Sequence, residues 1–517
     1  MAPKFSVLTP VYEPPLDALA EAIRSVREQT NDDWELVLVD DRSPSDAVRD
    51  LLRQAAAEDP RVRVLERSEN GGIVAASNDA VAAATGEFLV LLDNDDVLHR
   101  EALERVARVV AAYDDVDYVY SDEDKIDPEG RHYDEFRKPP WSPERLRGQM
   151  YTSHLSVLRA SLVREVGGFH DGFDGSQDHD LVLRVTERAR RVVHVPEVLY
   201  HWRVVPGSTA GDAGAKPYAW EAGRRAVQAH VDRVGIVAEV ELGSIPGTYS
   251  LRRRPARPHR VSVVIPTRGG SGLVWGEPRV FVVEAVRSVL ERGGLDDVEI
   301  VVVHDDDTPP SVLEALRELV GDRLVLVPFS GPFNFSAKCN RGFVAATGDV
   351  VVLLNDDVEV ASDEALARLV APLEEPGVGM TGAHLRFADG RLQHGGHLYA
   401  DGHLRHAFLK ADITDPGPFA ALRVSREVSG LTAACVALTR ETYEDVGGLC
   451  EALTVNFNDV DLSFKVRSRG LRLVWVENAL LYHFESQTRE PVVHQWEYDL
   501  VVERWLIPDE DIYLRAR

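Results

Sequence analysis

At 517 residues the chain has room for two or three domains, each able to bury its own core. Its 85 acidic and 58 basic side chains leave a net charge of −27 with no long basic run, which argues against nucleic-acid binding but leaves nucleotide binding open through a divalent cation. Cys339, Cys435 and Cys450 form no Cys-x-x-Cys pair and read as core or helix residues in a reducing cytosol.

In chain order, FSVLTPVY reads as a strand and is followed by a helix carrying Leu19, Ile23 and Val26. No signal peptide precedes it, and no apolar stretch approaches the roughly 20 residues of a membrane span. The expectation is a cytoplasmic protein, at most peripherally attached at the inner membrane face. The pattern then alternates: strand WELVLVDD, helix AVRDLLRQAAAE, strand RVRVLER, helix GIVAASNDAVAAA, strand EFLVLLDNDD, helix EALERVARVVAAY and strand DYVYSDEDKI. Such alternation predicts βαβ crossovers and a mostly parallel sheet covered on both faces. The pattern loosens between Pro206 and His259, around one helix, YAWEAGRRAVQAHVDRVG. It restarts at Arg260 with VSVVIPT, DVEIVVVHDDD, RLVLVPF, the helix SAKCNRGFVAAT and DVVVLLNDD. The expected organisation is an α/β domain over 1–210, a helical or extended connector over 211–259, a second α/β domain over 260–490, and a helix and tail over 491–517.

The two α/β stretches repeat each other. LLDNDD is echoed by LLNDDVEV, FSVLTPVYE by RVSVVIPTR, and GSQDHDLVLRV by NFNDVDLSFKV, in the same order. In an open α/β sheet, ligands bind outside the carboxyl ends of the strands, where these acidic runs fall. Asp93 and Asp95, two apart at a strand end, would share a face and converge on one cation; oxygen ligands of this kind favour Mg²⁺ or Mn²⁺. An ordinary acidic loop is the plain alternative. Asp40 and Asp41 close another strand, where a carboxylate would accept hydrogen bonds from a base or ribose, or Asp41 would cap the next helix. Asp178 and Asp180 open an amphipathic helix. Either is a cap favoured by the helix dipole, or a general base for an attacking hydroxyl. His201 is a candidate third metal ligand, although a lone histidine is more often structural. Trp202, Trp475, Gln393 and His394 read as packing or local hydrogen-bonding residues.

Taken in order, VLTPVYE, LVDD, NGGIVAASNDAV, LLDNDD, GGFHDGFDGSQDHDL and LYHWRVVPGSTA resemble the inverting family 2 glycosyltransferases, which have the GT-A nucleotide-diphospho-sugar fold. YSDEDKID, KPPWSPERL and SHLSVLRASLVREVGGF look like the members associated with O-antigen, rhamnan and related surface polysaccharides. FNFSAKCNRGFVAATGD, LLNDDVEV, RLQHGGHLY, NFNDVDLSFKVRSRGLRLVW and LYHFESQTR resemble the C-terminal halves of tandem members. The resemblance implies two tandem GT-A domains, a nucleotide-sugar donor (UDP or dTDP) and a glycan or lipid-linked glycan acceptor. By it, the nucleotide-sugar contacts are Pro10, Tyr12, Asp40, Asp41, Asn94 and Arg203, then Pro266, Asp305 and Asp356. The loop from Arg203 to Thr209 would close over the diphosphate. The metal ligands are Asp93, Asp95 and His201, then Asp357 and His483, and the catalytic bases are Asp178 and Asp459. The second copy departs from the family pattern at His304, which stands before Asp305 where an acidic residue is usual, and at Asn355. It is therefore either a second working site or a degenerate copy that holds acceptor or acts as scaffold. A processive membrane synthase would need membrane helices and a Gln-x-x-Arg-Trp motif, and a nucleotidylyltransferase a Gly-rich basic loop in place of TPVYEPP; the chain has neither. A non-catalytic carbohydrate-binding protein is disfavoured by the retained Asp178 and Asp459.

Overall fold

A computed structural model describes residues 3–204, 217–484 and 493–515. The chain divides into two compact units: Met1–Gly235 with Val240–Tyr249 and Arg515–Arg517, and Ile236–Glu239 with Ser250–Leu514. The helix Pro217–Val234, within the stretch read as a connector, belongs to the first unit and packs on the helix Gln177–Thr186.

In the first unit the apolar runs form β1 (Phe5–Val11), β2 (Trp34–Asp40), β3 (Val62–Glu66) and β4 (Phe88–Leu91). They are followed by β5 (Val97–Leu98), β6 (Val116–Ile126), β7 (His132–Phe136), β8 (Ser156–Arg159) and β9 (Arg191–Arg203). The sheet runs β3-β2-β1-β4-β8-β6-β9-β5, with β7 beside β6. Its first four strands are parallel, β8 is antiparallel to both neighbours, and β6 and β9 are again parallel. Helices fall where the 3.6-residue period lies; Leu16–Arg27 buries Leu19, Ile23 and Val26 against the sheet, in one core with Phe5, Trp34 and Phe88.

β10 (Ala238–Leu242) and β11 (Tyr249–Arg253) follow along the chain. The second unit contains β12 (Arg260–Thr267), β13 (Ser271–Val274), β14 (Glu277–Val280), β15 (Asp297–Asp305), β16 (Leu324–Phe329), β17 (Val350–Leu354) and β18 (Val358–Val360). It continues with β19 (Val378–Arg386), β20 (Leu392–His394), β21 (His397–Ala400), β22 (His403–His406), β23 (Arg426–Glu427), β24 (Cys435–Thr439) and β25 (Arg472–His483). Its sheet runs β16-β15-β12-β17-β24-β19-β25-β18, which matches the first strand for strand. Two apolar clusters pack its core, one holding Val263 and Val302, the other Val264, Val301 and Trp475, as expected when successive side chains of a buried strand point to opposite faces.

The duplication extends to buried polar detail. Ser6 donates to Glu35 at 2.6 Å, and the same carboxylate accepts from the amide and hydroxyl of Thr85. In the second unit Ser262 donates to Glu299 at 2.6 Å, and Thr347 makes the same pair of bonds. Asn78 brackets Phe169 through both of its amide atoms, as Asn340 brackets Leu449. Each bond satisfies a group that would be costly to leave unpaired inside the protein. Both units are thus parallel-rich α/β bodies of one design in tandem.

Candidate active sites

In each sheet the parallel strands deliver their C-terminal ends to one edge. In the first unit this edge carries Pro10, Asp40 and, just past β4, the run Asp93–Asp96. Pro10 presents its carbonyl to Nδ2 of Asn94 at 2.9 Å, while Tyr12 is 53% exposed. Asp40 is buried and accepts from the Ser43 amide. Asp41 does not cap the helix that follows it. Its carboxylate accepts from the amides of Gly71 and Gly72, which open the helix Gly72–Ala83, and pairs with Arg67 at 2.5 Å. A positive helix end and a guanidinium thus hold one anion.

The acidic run splits into distinct environments. Asp96 is fully buried, accepting from the Tyr200 hydroxyl at 2.6 Å and the Arg203 amide at 2.7 Å. Burial, with Asp93 and Asp95 alongside, pushes its carboxyl well above the ordinary range. Arg203 donates to the carbonyl of Asp95 and pairs with Glu21; the rest of the predicted closing loop, 205–209, lies outside the described residues. Ligand atoms converge in two groups here: Asp93 with Asp96 and His154, and Asp124 with His132 and His201. Asp95 belongs to neither group. Nδ1 of His201 lies 2.6 Å from Asp124.

Asp178 and Asp180, equivalent in sequence, are separated by the structure. Asp180 is fully buried and takes Nε and Nη2 of Arg184 at 2.9 and 2.6 Å. Asp178, in the first turn of the helix Gln177–Thr186, has one side-chain bond among the described residues, from Gln177 at 3.1 Å. Desolvation pushes its carboxyl up to about 6 against that bond. A carboxyl tuned this way is suited to proton transfer near neutral pH.

In the second unit Pro266, Asn355, Asp356, Asp357, Asp459 and His483 all line one cavity of about 880 Å³. The loop after β17 is one residue shorter than its counterpart after β4, with Asn355–Asp357 in place of Asp93–Asp96. β18 pairs Val358 with His483, as β5 pairs Val97 with His201, so Asp357 precedes its strand where Asp96 does in the first unit. Asp357 Oδ1 stands 3.1 Å from His483 Nε2. That spacing matches two adjacent ligands at about 2.1 Å on one octahedral cation. Oδ1 of Asn355 is buried with no hydrogen-bond partner among the described residues, an orphaned acceptor beside the same pair. The donor set therefore fits Mg²⁺ or Mn²⁺. Asp356 accepts from the Thr267 hydroxyl at 2.6 Å, and burial, reinforced by Asp357, pushes its carboxyl up to about 6.

Asp305 is paired with the fully buried Lys338 at 2.6 Å and lies 3.4 Å from Arg268. Lys338 thus does for Asp305 what Arg67 does for Asp41. Sequence reasoning missed both cations, and also Gln393, whose Oε1 meets His483 Nδ1 at 2.7 Å and fixes the ring with Nε2 toward Asp357. Gln393 lies in RLQHGGHLY, and in place of the packing or local hydrogen bonding expected of it, it contacts a histidine 90 residues away. Asp459, at the start of the helix Asn458–Ser468, faces the cavity with His397 Nε2 3.8 Å away, whereas Asp461 is buried against Arg504 and Lys465.

Two separate stretches of the chain, 6–167 and 262–445, match the family described as "Glycosyl transferase family 2", and together they cover well over half of it. An uncharacterized protein, y4gI, from Sinorhizobium fredii is 42% identical over 494 residues, covering 94% of this chain and 54% of that protein. The O-antigen biosynthesis protein RfbC of Myxococcus xanthus is 34% identical over 517 residues, covering 99% of this chain and 40% of that protein. The chain therefore spans about half the length, or less, of these curated relatives. Chondroitin synthase from Pasteurella multocida is 27% identical over 206 residues, 40% of this chain and 21% of that protein. Among solved structures, S. aureus TarS 1–349 in complex with UDP aligns with 44% of this chain and 65% of that chain, at a TM-score of 0.36 and 21% identity. No described helix is long and apolar enough to cross a membrane.

Proposed function

The chain belongs to glycosyl transferase family 2, and from that premise we propose that each of its two α/β bodies carries an inverting glycosyl-transfer site. The donors are UDP- or dTDP-linked sugars, and the acceptor is a glycan or lipid-linked glycan in surface polysaccharide synthesis at the cytoplasmic membrane face. The observation that carries this reading is the cavity of about 880 Å³ that gathers Pro266, Asp356, Asp357, Asp459 and His483. Similarity to an O-antigen biosynthesis protein and a chondroitin synthase supports the substrate class.

In the second body Asp357 and His483 would hold Mg²⁺ or Mn²⁺; in the first, the expected trio of Asp93, Asp95 and His201 is divided, and an ion would be held by Asp93 with Asp96 and His154 or by His201 with Asp124 and His132. Bound there, the ion supplies neutralisation of charge on the leaving diphosphate. Asp41 and Asp305, each paired with a basic side chain, would be the nucleoside contacts. Asp178 and Asp459 accept the proton of the attacking hydroxyl at a carboxylate oxygen. Attack from the face opposite the leaving group inverts the anomeric carbon and needs no enzyme nucleophile.

Asn355, where a first aspartate is usual, favours a second reading in which the second body only holds acceptor. Calorimetric titration of UDP and dTDP with Mn²⁺ separates the two. Nucleotide binding that Asp357→Asn weakens at least tenfold supports a working second donor site, and binding unaffected by that change removes it.

A further inference from the structure

Beside the second candidate site, three histidines that the transfer chemistry does not use come together. His394 ends β20, His397 begins β21 and His406 ends β22. Their ring centroids form a nearly equilateral triangle, 5.1, 5.1 and 5.0 Å on a side. One ligand nitrogen from each lies within 4.8 Å of the others, and Nδ1 of His394 and Nδ1 of His406 are 2.9 Å apart.

The chain is built to bring them there. Between His394 and His397 lie only Gly395 and Gly396; Gly396 has φ +94°, and a Cβ on it would lie 2.7 Å from Val428. A Cβ on Gly430 would lie 2.8 Å from Nδ1 of His397 and 1.9 Å from the Tyr399 hydroxyl, so the cluster packs against a residue that must lack a side chain. His394 and His397 are 1% and 3% exposed.

We propose that His394, His397 and His406 form a second metal site, of zinc class, distinct from the Asp357–His483 pair. Three imidazoles suit Zn²⁺, Co²⁺ or Ni²⁺, whereas Mg²⁺ is poorly served by a set with no oxygen. Tetrahedral Zn–N bonds of about 2.0–2.1 Å put ligand nitrogens roughly 3.3 Å apart, near the 2.9 Å between the Nδ1 atoms of His394 and His406. Metal binding at Nδ1 of His394 moves that ring's proton to Nε2 and gives up the 3.3 Å contact from the Thr432 amide. His397 and His406 also line the cavity, and His397 Nε2 is 3.8 Å from Asp459, so the fourth position opens toward the base. An acceptor hydroxyl is the ligand class that position would take. That last assignment rests on the transferase reading; the metal site does not.

The test uses the untagged full chain. Wild type, His406→Ala, His394→Ala and Asp357→Asn are titrated with Co²⁺ in excess Mg²⁺, followed by visible absorption and by metal analysis after dialysis against Zn²⁺. The expected result is a tetrahedral Co²⁺ spectrum that persists in Asp357→Asn. In His406→Ala, a change at a partly exposed ring, Co²⁺ binds at least tenfold more weakly and one equivalent of Zn²⁺ is lost. Should His394→Ala misfold, His406→Ala and wild type decide alone. Identical Co²⁺ spectra and Zn²⁺ content in wild type and His406→Ala overturn the proposal. Failure of nucleotide binding in wild type would strike the transferase reading and leave the metal result standing.

Discussion

Replacing Asp178 by Asn should stabilise the first unit while abolishing its transfer activity. The carboxyl is pushed from an ordinary value of 3.8 to about 6 by desolvation, opposed only by Gln177. A group whose folded value exceeds its unfolded one favours the native state below the unfolded value and loses that contribution as pH rises through the folded one. Between about pH 4 and 6, therefore, wild type loses stability at this position, and above pH 7 the cost is complete. Two pH units correspond to about 3 kcal/mol at 1.36 kcal/mol per unit. Because Asp178 is only half-buried, about 1–2 kcal/mol is the expected gain for Asn, which keeps the Gln177 hydrogen bond without the charge. For a unit of this size that is about 2–4 °C per kcal/mol in melting temperature. Thermal unfolding of wild type and Asp178→Asn from pH 4.5 to 8 should show curves that converge toward acid pH, draw apart up to about pH 6 and keep a constant gap above pH 7. A variant less stable than wild type at pH 8, or a gain independent of pH, would refute the desolvated-base assignment.

Two residues along the same helix, the opposite outcome is expected: Asp180→Ala leaves the buried Arg184 charge without its carboxylate, held only by the carbonyls of Val166 and Gly168, and should cost about 3–5 kcal/mol in urea unfolding. Gln393→Ala releases His483 Nδ1 and should raise the Mn²⁺ concentration for half-maximal nucleotide release about 10–100-fold at the second site only, with Gln393→Glu restoring most of it. Glu299→Gln replaces an acceptor shared by Ser262 and both donors of Thr347 with an amide that must turn one nitrogen toward a donor; about 2–3 kcal/mol of stability should be lost, read by chemical denaturation.

Periodicity and the internal repeat made much of the fold legible. The valine-rich strand β15 and the helix Leu16–Arg27 follow directly from patterns of two and 3.6 residues. The short strands β20 to β22 and the hairpin of β6 with β7 were not legible, because their side chains alternate weakly and glycine turns set their register. At the candidate sites, motif order alone gathered Asp357, Asp459 and His483 into one list, and they share one cavity. Sequence could not divide Asp178 from Asp180, since both are acidic first-turn residues and only packing shows which one meets Arg184. Nor could it foresee Lys338 or Gln393, whose roles depend on contacts 33 and 90 residues away in the chain.

Nucleotide release from UDP-, dTDP- and GDP-sugars with Mn²⁺ or Mg²⁺, comparing wild type with Asp178→Ala and Asp459→Ala, tests the two-site transferase reading most directly. Two working sites predict that each variant loses turnover of a different donor, or a different share of one. If both variants released nucleotide from every donor at the wild-type rate, neither carboxylate would be a catalytic base and the reading would fall.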